Sequence, residues 1–297
     1  MKKALVIGGT RFFGVHLVET LLAEGFDVTI ATRGKTQDPF STRVNRIIVD
    51  RLNFAELKER CGNETWDIIF DQICYSSQEA LEAIEVFRDK TKKYVFTSSK
   101  SVYGEGHGEV GFVEADFNPY DYNIIPGQKE DFTYDEGKRQ AEAVFFQKAS
   151  FPVVAVRFPI VLGLNDYTKR LHFHIEKIVN HEEIHLINPD ASIDFISEEE
   201  AGEFLAWIGS SAFSGPINAL SNGKVKLSEM ITTIEEKTKI SAIISSIPDE
   251  TNASPFNISE SWLINNEKAR NLGFQFIDLN EWLPVLIGDI LESNKER

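Results

Sequence analysis

The segment V-I-G-G-T-R-F-F-G, residues 6–14, limits the fold of this chain more strongly than any other part of its sequence. An apolar run that passes through closely spaced glycines into a helical pattern is typical of dinucleotide-binding folds, in which N–H groups at the helix start receive a pyrophosphate. Gly8 permits the tight turn, and Gly14 lets helix and strand approach closely. Arg11 stands where the middle glycine of the pattern is expected. The segment predicts a cofactor site, with a structural turn that binds no ligand as the alternative.

Apolar strand-like runs alternate with helical patterns through the first half of the chain. One helical pattern, residues 16–24, places Leu17, Leu21 and Leu22 on one face and ends at Gly25. Strand, helix and strand in repetition predict a parallel sheet with helices on both faces. The predicted fold class is therefore α/β, a Rossmann doubly wound parallel sheet. The strand-like runs cover residues 4–7, 28–31, 47–49, 68–70, 94–97 and 153–158.

The alternation of strand-like runs and helical patterns is interrupted at two places. Residues 104–132 are rich in Gly, Asp, Asn and Pro, and their length predicts a functional loop rather than a connector. After Gly163 the pattern becomes mixed and ends in an amphipathic helix near residues 280–291. We expect an NAD(P)-binding domain at 1–163, whose sheet segments near 190–220 can complete. Residues 164–297 are expected to form mainly a smaller, mixed α/β lobe that binds substrate.

Composition limits the partners. Acidic residues outnumber basic ones by 46 to 31, and a net charge of −15 repels nucleic acid at long range. Two cysteines, Cys61 and Cys74, are too few for a disulfide framework and suit a reducing compartment. No apolar run approaches membrane length. We expect a cytoplasmic protein whose partner is a small-molecule substrate, not nucleic acid or a membrane.

The end of the second predicted strand, I-A-T-R-G-K-T, bears on the choice of cofactor. An acidic residue here would accept hydrogen bonds from a free ribose 2′-hydroxyl, whereas a basic one would pair with a 2′-phosphate. Arg33 and Lys35 occupy this place, and no carboxylate follows until Asp38. The residues favour NADP over NAD, with Arg11 close to the same ribose; solvated loop charges are the alternative. Asp50 either accepts from the adenine amino group or caps the next helix.

The candidate chemistry lies in two later segments. In Y-D-E-G-K, Tyr134 and Lys138 are four residues apart, which places them on one face of a helix. A nearby ammonium favours phenolate, so we expect Lys138 to lower the pKa of Tyr134 and let it transfer a proton near neutral pH. Ser99 ends a buried strand and would hydrogen-bond the same substrate oxygen. Alternatively, Tyr134 and Lys138 lie on an ordinary helix face and Ser99 only ends a strand, without a catalytic role.

Substrate contacts are expected from the second lobe. The stretch D-Y-T-K-R-L-H-F-H concentrates basic residues in an acidic chain, and Lys169 and Arg170 would suit a diphosphate. A solvated basic helix start is the alternative. Tyr75 is a further predicted substrate contact. No group of histidines and carboxylates has the spacing of metal ligands, so no metal is predicted.

Several of these segments together resemble the extended short-chain dehydrogenase/reductase family, in particular its epimerase/dehydratase-like branch. The glycine loop, S-S-K-S-V-Y-G at 98–104 and Y-D-E-G-K-R-Q-A-E at 134–142 resemble family motifs; segments 153–163, 193–205 and 268–274 are similar to later elements. The resemblance implies Ser99, Tyr134 and Lys138 as the catalytic set, with Lys138 also holding the nicotinamide ribose. It also implies a homodimer packed through the Tyr134 helix. The predicted cofactor contacts are Gly8, Thr10, Arg11, Phe12, Phe13, Gly14, Arg33, Lys35, Asp50, Arg51, Thr97, Tyr134, Lys138 and Phe158.

Departures from the family pattern limit the reactions that we expect this protein to catalyse. D-Q-I-C at 71–74 replaces the usual H-L-A-A beside the cofactor, and Lys100 and Ser101 replace the Asp-Glu pair of dehydratases, which disfavours dehydration. Ile160 stands where epimerases often have Asn. The expected function is an NAD(P)-dependent epimerase or reductase that transfers hydride at a hydroxyl or carbonyl carbon of a nucleotide-sugar or related small molecule. The alternative is a non-catalytic NADP-binding sensor or RNA-binding factor, because the altered glycine loop also occurs in an atypical plastid group associated with RNA binding.

Overall fold

The computed structural model describes residues 1–61, 63–104, 106 and 110–295. Its strands are β1 (Lys3–Ile7), β2 (Asp27–Thr32), β3 (Asn45–Ile48), β4 (Ile68–Asp71), β5 (Tyr94–Ser99), β6 (Val153–Phe158), β7 (Ile160–Leu162), β8 (Glu183–His185), β9 (Ser192–Ile193), β10 (Phe195–Ser197), β11 (Gly215–Asn218), β12 (Val225–Lys226) and β13 (Ile243–Ser245). Its helices are α1 (Phe13–Ala23), α2 (Phe54–Cys61), α3 (Ser77–Phe87), α4 (Tyr134–Lys148), α5 (Arg170–Val179), α6 (Glu198–Ser210), α7 (Leu227–Thr238), α8 (Glu267–Asn271) and α9 (Leu279–Lys295).

A seven-stranded parallel sheet forms the centre of the molecule, in the order β11-β6-β5-β4-β1-β2-β3. The strand order reverses direction between β1 and β4. In doubly wound sheets of this kind, ligands bind in the crevice at the carboxyl ends of the strands beside such a reversal. The predicted α/β Rossmann fold is confirmed, and the six predicted strand runs correspond to β1–β6 within a few residues.

Helices cover both faces of the sheet because its strands are apolar on both sides. On one face α1 and α6 pack over β1, β4 and β6, with Leu17 and Phe204 in the core. On the other face α2, α3 and α4 bury a second cluster that includes Phe87 and Phe145. A Cβ atom on Gly202 of α6 would lie 2.6 Å from the Leu17 backbone nitrogen, so the missing side chain lets α1 and α6 touch.

Side-chain caps fix where two of these helices begin. Ser76 accepts a hydrogen bond from the Glu79 N–H at the start of α3, and Ser197 accepts one from the Glu200 N–H at the start of α6. Gly25, with φ +80°, follows α1 and allows the chain to turn into β2. These local signals set where the helices begin and end. The apolar side of each helix sets which face packs on the sheet.

The second lobe forms around α5, α7 and α9, which share a separate hydrophobic core with β8, β9 and β10. Two short strand pairs, β8–β13 and β9–β12, belong to it. The chain returns from this lobe to the sheet: α6 and β11 follow residue 163 but pack within the layers of the central sheet. In the described part of the chain, no helix has the length and apolar character needed to cross a membrane.

Candidate active site

A cleft of about 950 Å³ lies at the carboxyl ends of the central strands, between the sheet and the second lobe. Most of the predicted site residues line it: Gly8, Thr10, Arg11, Phe12, Phe13, Arg33, Lys35, Asp50, Arg51, Tyr75, Thr97, Ser99, Tyr134, Lys138, Phe158 and Arg170. Two do not. Gly14 packs beneath the glycine loop, and Lys169, at the start of α5, stands outside the cleft wall.

The glycine loop owes its shape to backbone conformations that side chains disfavour. Gly8 and Gly9 have φ +103° and +86°. A Cβ on Gly14 would lie 2.8 Å from the Gly9 Cα, so this glycine allows α1 to approach the loop. Gln72, which follows β4, accepts a hydrogen bond from the Gly9 N–H at 3.0 Å. The substituted segment after β4 therefore supports the loop from below, a contact that the sequence pattern does not indicate.

Arg11 lies on the outer side of the loop. Its guanidinium is 6.0 Å from the ring of Tyr167 in the second lobe, and the same ring meets Phe12 edge-on at 6.1 Å. The residue that replaces the middle glycine thus reaches across the cleft to the opposite lobe. Sequence reasoning missed Tyr167.

The end of β2 presents unpaired positive charge. Arg33 and Lys35 are exposed, line the cleft and have no ion-pair partner within the described ranges. The first carboxylate after them, Asp38, is held by Arg46 at 2.6 Å. One carboxylate oxygen of Asp50 accepts a hydrogen bond from the Leu52 N–H at 3.1 Å, so part of its hydrogen-bonding capacity stabilises the local turn.

Arg51 is buried in the cleft wall. It donates to Asp71 at 2.9 Å and to the Glu79 carbonyl at 3.0 Å, and Asp71 also accepts from the Tyr94 hydroxyl at 2.7 Å. Burial opposes ionisation and is the largest single effect, but Asp71 and the other groups around it, Cys74, Tyr94 and Glu79, together outweigh it and raise the pKa of Arg51. Both of its hydrogen bonds come from Nη2 and are directed into the protein, whereas its Nε and Nη1 donate to no partner in the described part of the chain.

Ser99, Tyr134 and Lys138 meet at the centre of the cleft. Ser99 ends β5, and its hydroxyl lies close enough to Tyr134, the first residue of α4, to favour ionisation of the phenol. The Tyr75 ring lies 6.2 Å from the Tyr134 ring. Strand end and helix start thus bring together three residues that are far apart in sequence.

Two backbone carbonyls hold the ammonium group of Lys138. Its Nζ donates to the backbone carbonyls of Cys74 at 2.9 Å and Thr97 at 2.8 Å, and it lies 4.3 Å from the Tyr75 ring centroid. The residue is 2 % exposed, and burial lowers its pKa to about 8. Two of its three N–H groups are therefore used by the protein, which leaves one for a ligand.

The expectation that Lys138 lowers the pKa of Tyr134 is wrong for this structure. The ammonium is held by the two carbonyls and lies 5.8 Å from the Tyr134 ring. Although 57 % of Tyr134 is exposed to the cleft, the surrounding walls limit hydration of its hydroxyl, and this burial raises its pKa. The hydrogen bond with Ser99 and the charge of Arg170 oppose that shift without reversing it. Tyr134 therefore rests as a neutral phenol, a proton donor.

Two further lysines that sequence reasoning missed as site residues also line the cleft. Lys129 lies 4.8 Å from the Tyr75 ring centroid. Lys100 is buried and donates to Asp194 at 2.7 Å and to the Trp262 carbonyl at 2.9 Å, so it joins the end of β5 to the second lobe. The composition of residues 104–132 predicted a functional loop, and this signal could have drawn attention to Lys129.

The cleft is strongly positive although the chain is acidic. Its described lining contains eight Lys or Arg residues and one carboxylate, Asp50. Asp71 and Asp194 neutralise Arg51 and Lys100 from behind. Of the other six, only Lys138 is buried and the rest are exposed or partly exposed, so the cleft attracts anionic ligands.

The fold and the site define a nicotinamide-dinucleotide-dependent enzyme of the short-chain dehydrogenase type. The chain belongs to the NAD dependent epimerase/dehydratase family, whose model matches residues 4–218. The resemblance inferred from the sequence motifs is confirmed.

Solved structures of similar fold cover nearly the whole chain. UDP-glucose 4-epimerase from Thermus thermophilus, in complex with NAD, has a TM-score of 0.75 and 18 % identity, over 98 % of this chain and 99 % of that one. UDP-N-acetylglucosamine 4-epimerase from Methanobrevibacter ruminantium has a TM-score of 0.75 and 20 % identity, over 99 % of both chains. dTDP-glucose 4,6-dehydratase from Bacillus anthracis has a TM-score of 0.75 and 15 % identity, over 100 % of this chain and 98 % of that one. At these identities the similarity establishes a shared fold.

A curated relative is more similar in sequence over a shorter stretch. The chloroplast stem-loop binding protein of 41 kDa b from Arabidopsis thaliana is 34 % identical over 115 residues. The match covers 34 % of this chain and 30 % of that protein.

Proposed function

We propose that this protein is an NADP-dependent epimerase or reductase that acts at a hydroxyl or carbonyl carbon of a nucleotide-sugar or related anionic small molecule. The observation that carries the proposal is the convergence of Ser99, Tyr134 and Lys138 beside the glycine loop in one positive cleft. The family, and the UDP-sugar 4-epimerases among the similar structures, support the reaction class.

The cleft fits a dinucleotide. The loop of Gly8 and Gly9 leads into the start of α1, where backbone N–H groups and the helix dipole favour a pyrophosphate. Lys138 has one N–H left for a ribose hydroxyl, and Phe158 and Thr97 form the wall below it. The bound nicotinamide would supply the site that gives or accepts hydride.

Tyr134 moves the proton in this scheme. Because its pKa is raised, it holds its proton at neutral pH and can donate it from Oη to a substrate carbonyl oxygen. Ser99, within hydrogen-bonding reach, orients that oxygen. Return of the hydride to the same substrate would give an epimerase, and release of the product would give a reductase.

Two observations favour NADP over NAD. Arg33 and Lys35 face the cleft without ion-pair partners in the described chain, and Asp38 is neutralised by Arg46. A 2′-phosphate would form charge-assisted hydrogen bonds with these side chains. A 2′-hydroxyl of NAD finds no free carboxylate after β2.

Titration of the purified protein with NADPH and NADH tests the cofactor proposal. One charge-assisted hydrogen bond is worth about 1.5–3 kcal/mol, so we expect Arg33→Ala to reduce the preference for NADPH by about tenfold or more. Arg43→Ala is the matched control, since Arg43 pairs with Glu19 away from the cleft. Equal affinities of the unmodified protein for the two cofactors would refute the proposal.

The substrate contacts shift relative to the sequence prediction. Arg170 and Tyr75 line the cleft, whereas Lys169 does not. We assign the anionic part of the substrate to Arg170 and Lys129, which stand at the end of the cleft near Tyr134. An acidic phosphate-bearing substrate suits this pair better than a neutral one.

Turnover assays test the chemistry. With NADP and a panel of nucleotide-sugars, we expect either an epimerised product with unchanged cofactor or a change in NADPH absorbance. Tyr134→Phe should remove turnover while NADPH affinity stays within about twofold. Tyr120→Phe, an exposed tyrosine outside the cleft lining, is the control. A fully active Tyr134→Phe variant would show that the phenol does not transfer the proton.

The curated relative favours a second candidate, binding of stem-loop RNA. The net charge of −15 opposes it, because phosphate contacts dominate affinity for nucleic acid. A gel-shift series with a stem-loop RNA at low salt separates the two: binding that survives Tyr134→Phe and competes with NADPH would support the second candidate.

We also propose a homodimer through α3 and α4, which sedimentation would test. We further propose a cytoplasmic location, which the buried free thiols of Cys61 and Cys74 support.

A further inference from the structure

Three potential metal ligands converge outside the cleft, where α1 meets α6. His16 lies in the second turn of α1, and Glu198 and Glu199 are the first two residues of α6. The His16 Nε2 is 3.8 Å from the Glu198 Oε2 and 4.0 Å from the Glu199 Oε1. All three donor atoms lie within 4.8 Å of one another. None of the three residues lines the cleft.

Close contact between the helices produces this convergence. A Cβ on Gly202 would lie 2.5 Å from the His16 Cβ, so only glycine lets α6 approach α1 at this point. A Cβ on Gly163 would lie 2.3 Å from the Glu198 carboxyl carbon, so a second glycine makes room for the Glu198 side chain. The cluster is therefore built by packing rather than by chance exposure of acidic side chains.

Glu198 carries an unsatisfied oxygen at the centre of the cluster. The side chain is 1 % exposed. Its Oε1 accepts from the backbone N–H and the side-chain amide of Asn165, at 3.1 and 3.2 Å. Its Oε2, which faces His16, accepts no hydrogen bond within the described part of the chain. A buried carboxylate oxygen without a donor is costly, and a cation at this point would remove that cost.

The donor set indicates the class of cation. Oxygen and nitrogen atoms bind Zn²⁺ at about 2.0–2.2 Å, so two ligand atoms of a tetrahedral site lie about 3.3–3.6 Å apart. The two distances from His16 Nε2 exceed this spacing by a few tenths of an ångström, and Glu199, 57 % exposed, is free to rotate closer. An imidazole with two carboxylates suits a first-row divalent ion better than Mg²⁺, which prefers oxygen ligands alone.

We propose that His16, Glu198 and Glu199 bind a divalent transition-metal cation, best matched by Zn²⁺, that joins α1 to α6. Three protein ligands leave at least one position for water. Because α1 starts at the glycine loop, the ion would hold the helix that carries the cofactor loop against the sheet. Its role is structural, since the site lies away from Ser99 and Tyr134.

The test uses the full chain, freed of metal by chelation and carrying no histidine tag. Calorimetric titration with Zn²⁺ should show one saturable site, with a rise in thermal midpoint and much weaker binding of Mg²⁺. His16→Gln and Glu198→Gln should each weaken Zn²⁺ binding by at least about tenfold, since even outer-shell substitutions at zinc sites cost 10–100-fold. Substituted Co²⁺ should give the visible absorption of a site with a nitrogen ligand, and His16→Gln should change that spectrum.

Controls separate this site from general surface binding. His181→Gln and Glu203→Gln alter exposed residues outside the cluster and should leave Zn²⁺ affinity unchanged. Glu199→Gln changes an exposed side chain, so it tests the site even if the buried substitution at 198 impairs folding. Absence of saturable Zn²⁺ binding, or equal affinity of the His16 and Glu199 variants and the unmodified protein, would overturn the proposal. A direct contact between His16 and Glu198 without a bound ion would give that negative result.

Discussion

Acidification should destabilise the second lobe through His174, a residue of α5 that no solvent reaches. Its Nδ1 lies 2.9 Å from the Arg170 carbonyl, which can only accept, so Nδ1 carries the proton. Its Nε2 therefore accepts from the Ser254 hydroxyl at 2.7 Å. A second proton, on Nε2, would make this nitrogen a donor and leave the Ser254 hydroxyl proton without its acceptor, while the Ser254 oxygen also accepts the Phe256 N–H at 3.0 Å. Burial accordingly lowers the pKa of His174 to about 4.

The magnitude follows from linkage between protonation and folding. The unfolded chain binds a proton at His174 with a pKa near 6.5, and the folded chain does so only near 4. Stability is therefore fully present above pH 6.5, falls as the pH drops between 6.5 and 4, and levels off below. For this one group the loss between pH 7.5 and pH 5 is about 2 kcal/mol.

Urea unfolding followed by circular dichroism at pH 7.5 and pH 5 measures this loss. Other groups titrate in the same range, so the comparison is with His174→Gln, which offers a donor and an acceptor but does not titrate there. The variant should lose about 2 kcal/mol less than the unmodified protein on acidification. His181→Asn, at an exposed position, should behave like the unmodified protein. Equal losses in His174→Gln and the unmodified protein would refute the argument.

Two further predictions concern the site and its support. Glu142→Gln should lower the free energy of unfolding by about 3 kcal/mol or more in urea titrations, because it leaves the fully buried Arg157 without its 2.6 Å carboxylate partner; a loss under about 1 kcal/mol would contradict this. Gly14→Ala should weaken NADPH binding at least about tenfold in fluorescence titrations, because the added Cβ would lie 2.8 Å from the Gly9 Cα and distort the loop; unchanged affinity would show that the loop tolerates it.

Much of the dinucleotide half was predictable from local patterns. Alternating apolar runs and helical periodicity defined the parallel sheet, and the glycines after β1 marked its ligand-binding edge. The spacing of Tyr134 and Lys138 correctly placed both on one face of α4. These features depend on residues close in sequence, where backbone conformation and helical period act directly.

The electrostatics of the site could not be predicted in this way. Spacing suggested that Lys138 would act on the Tyr134 phenol, but the carbonyls of Cys74, after β4, and of Thr97, in β5, hold its ammonium instead. Lys169 and Arg170 are neighbours in sequence, yet only Arg170 lines the cleft. Direction and hydration of a side chain are set by the elements packed around it.

Residue order was enough to predict the fold class, the glycine loop and the residues available for catalysis. The partners of those residues depend on how the chain packs. His16 and Glu198 are 182 positions apart, and no periodicity relates them; they meet because Gly202 lets two helices touch. Sequence patterns record the local conformational preferences of the chain, whereas the pKa values, the charge of the cleft and the candidate metal ligands arise from distances that exist only after the chain has packed.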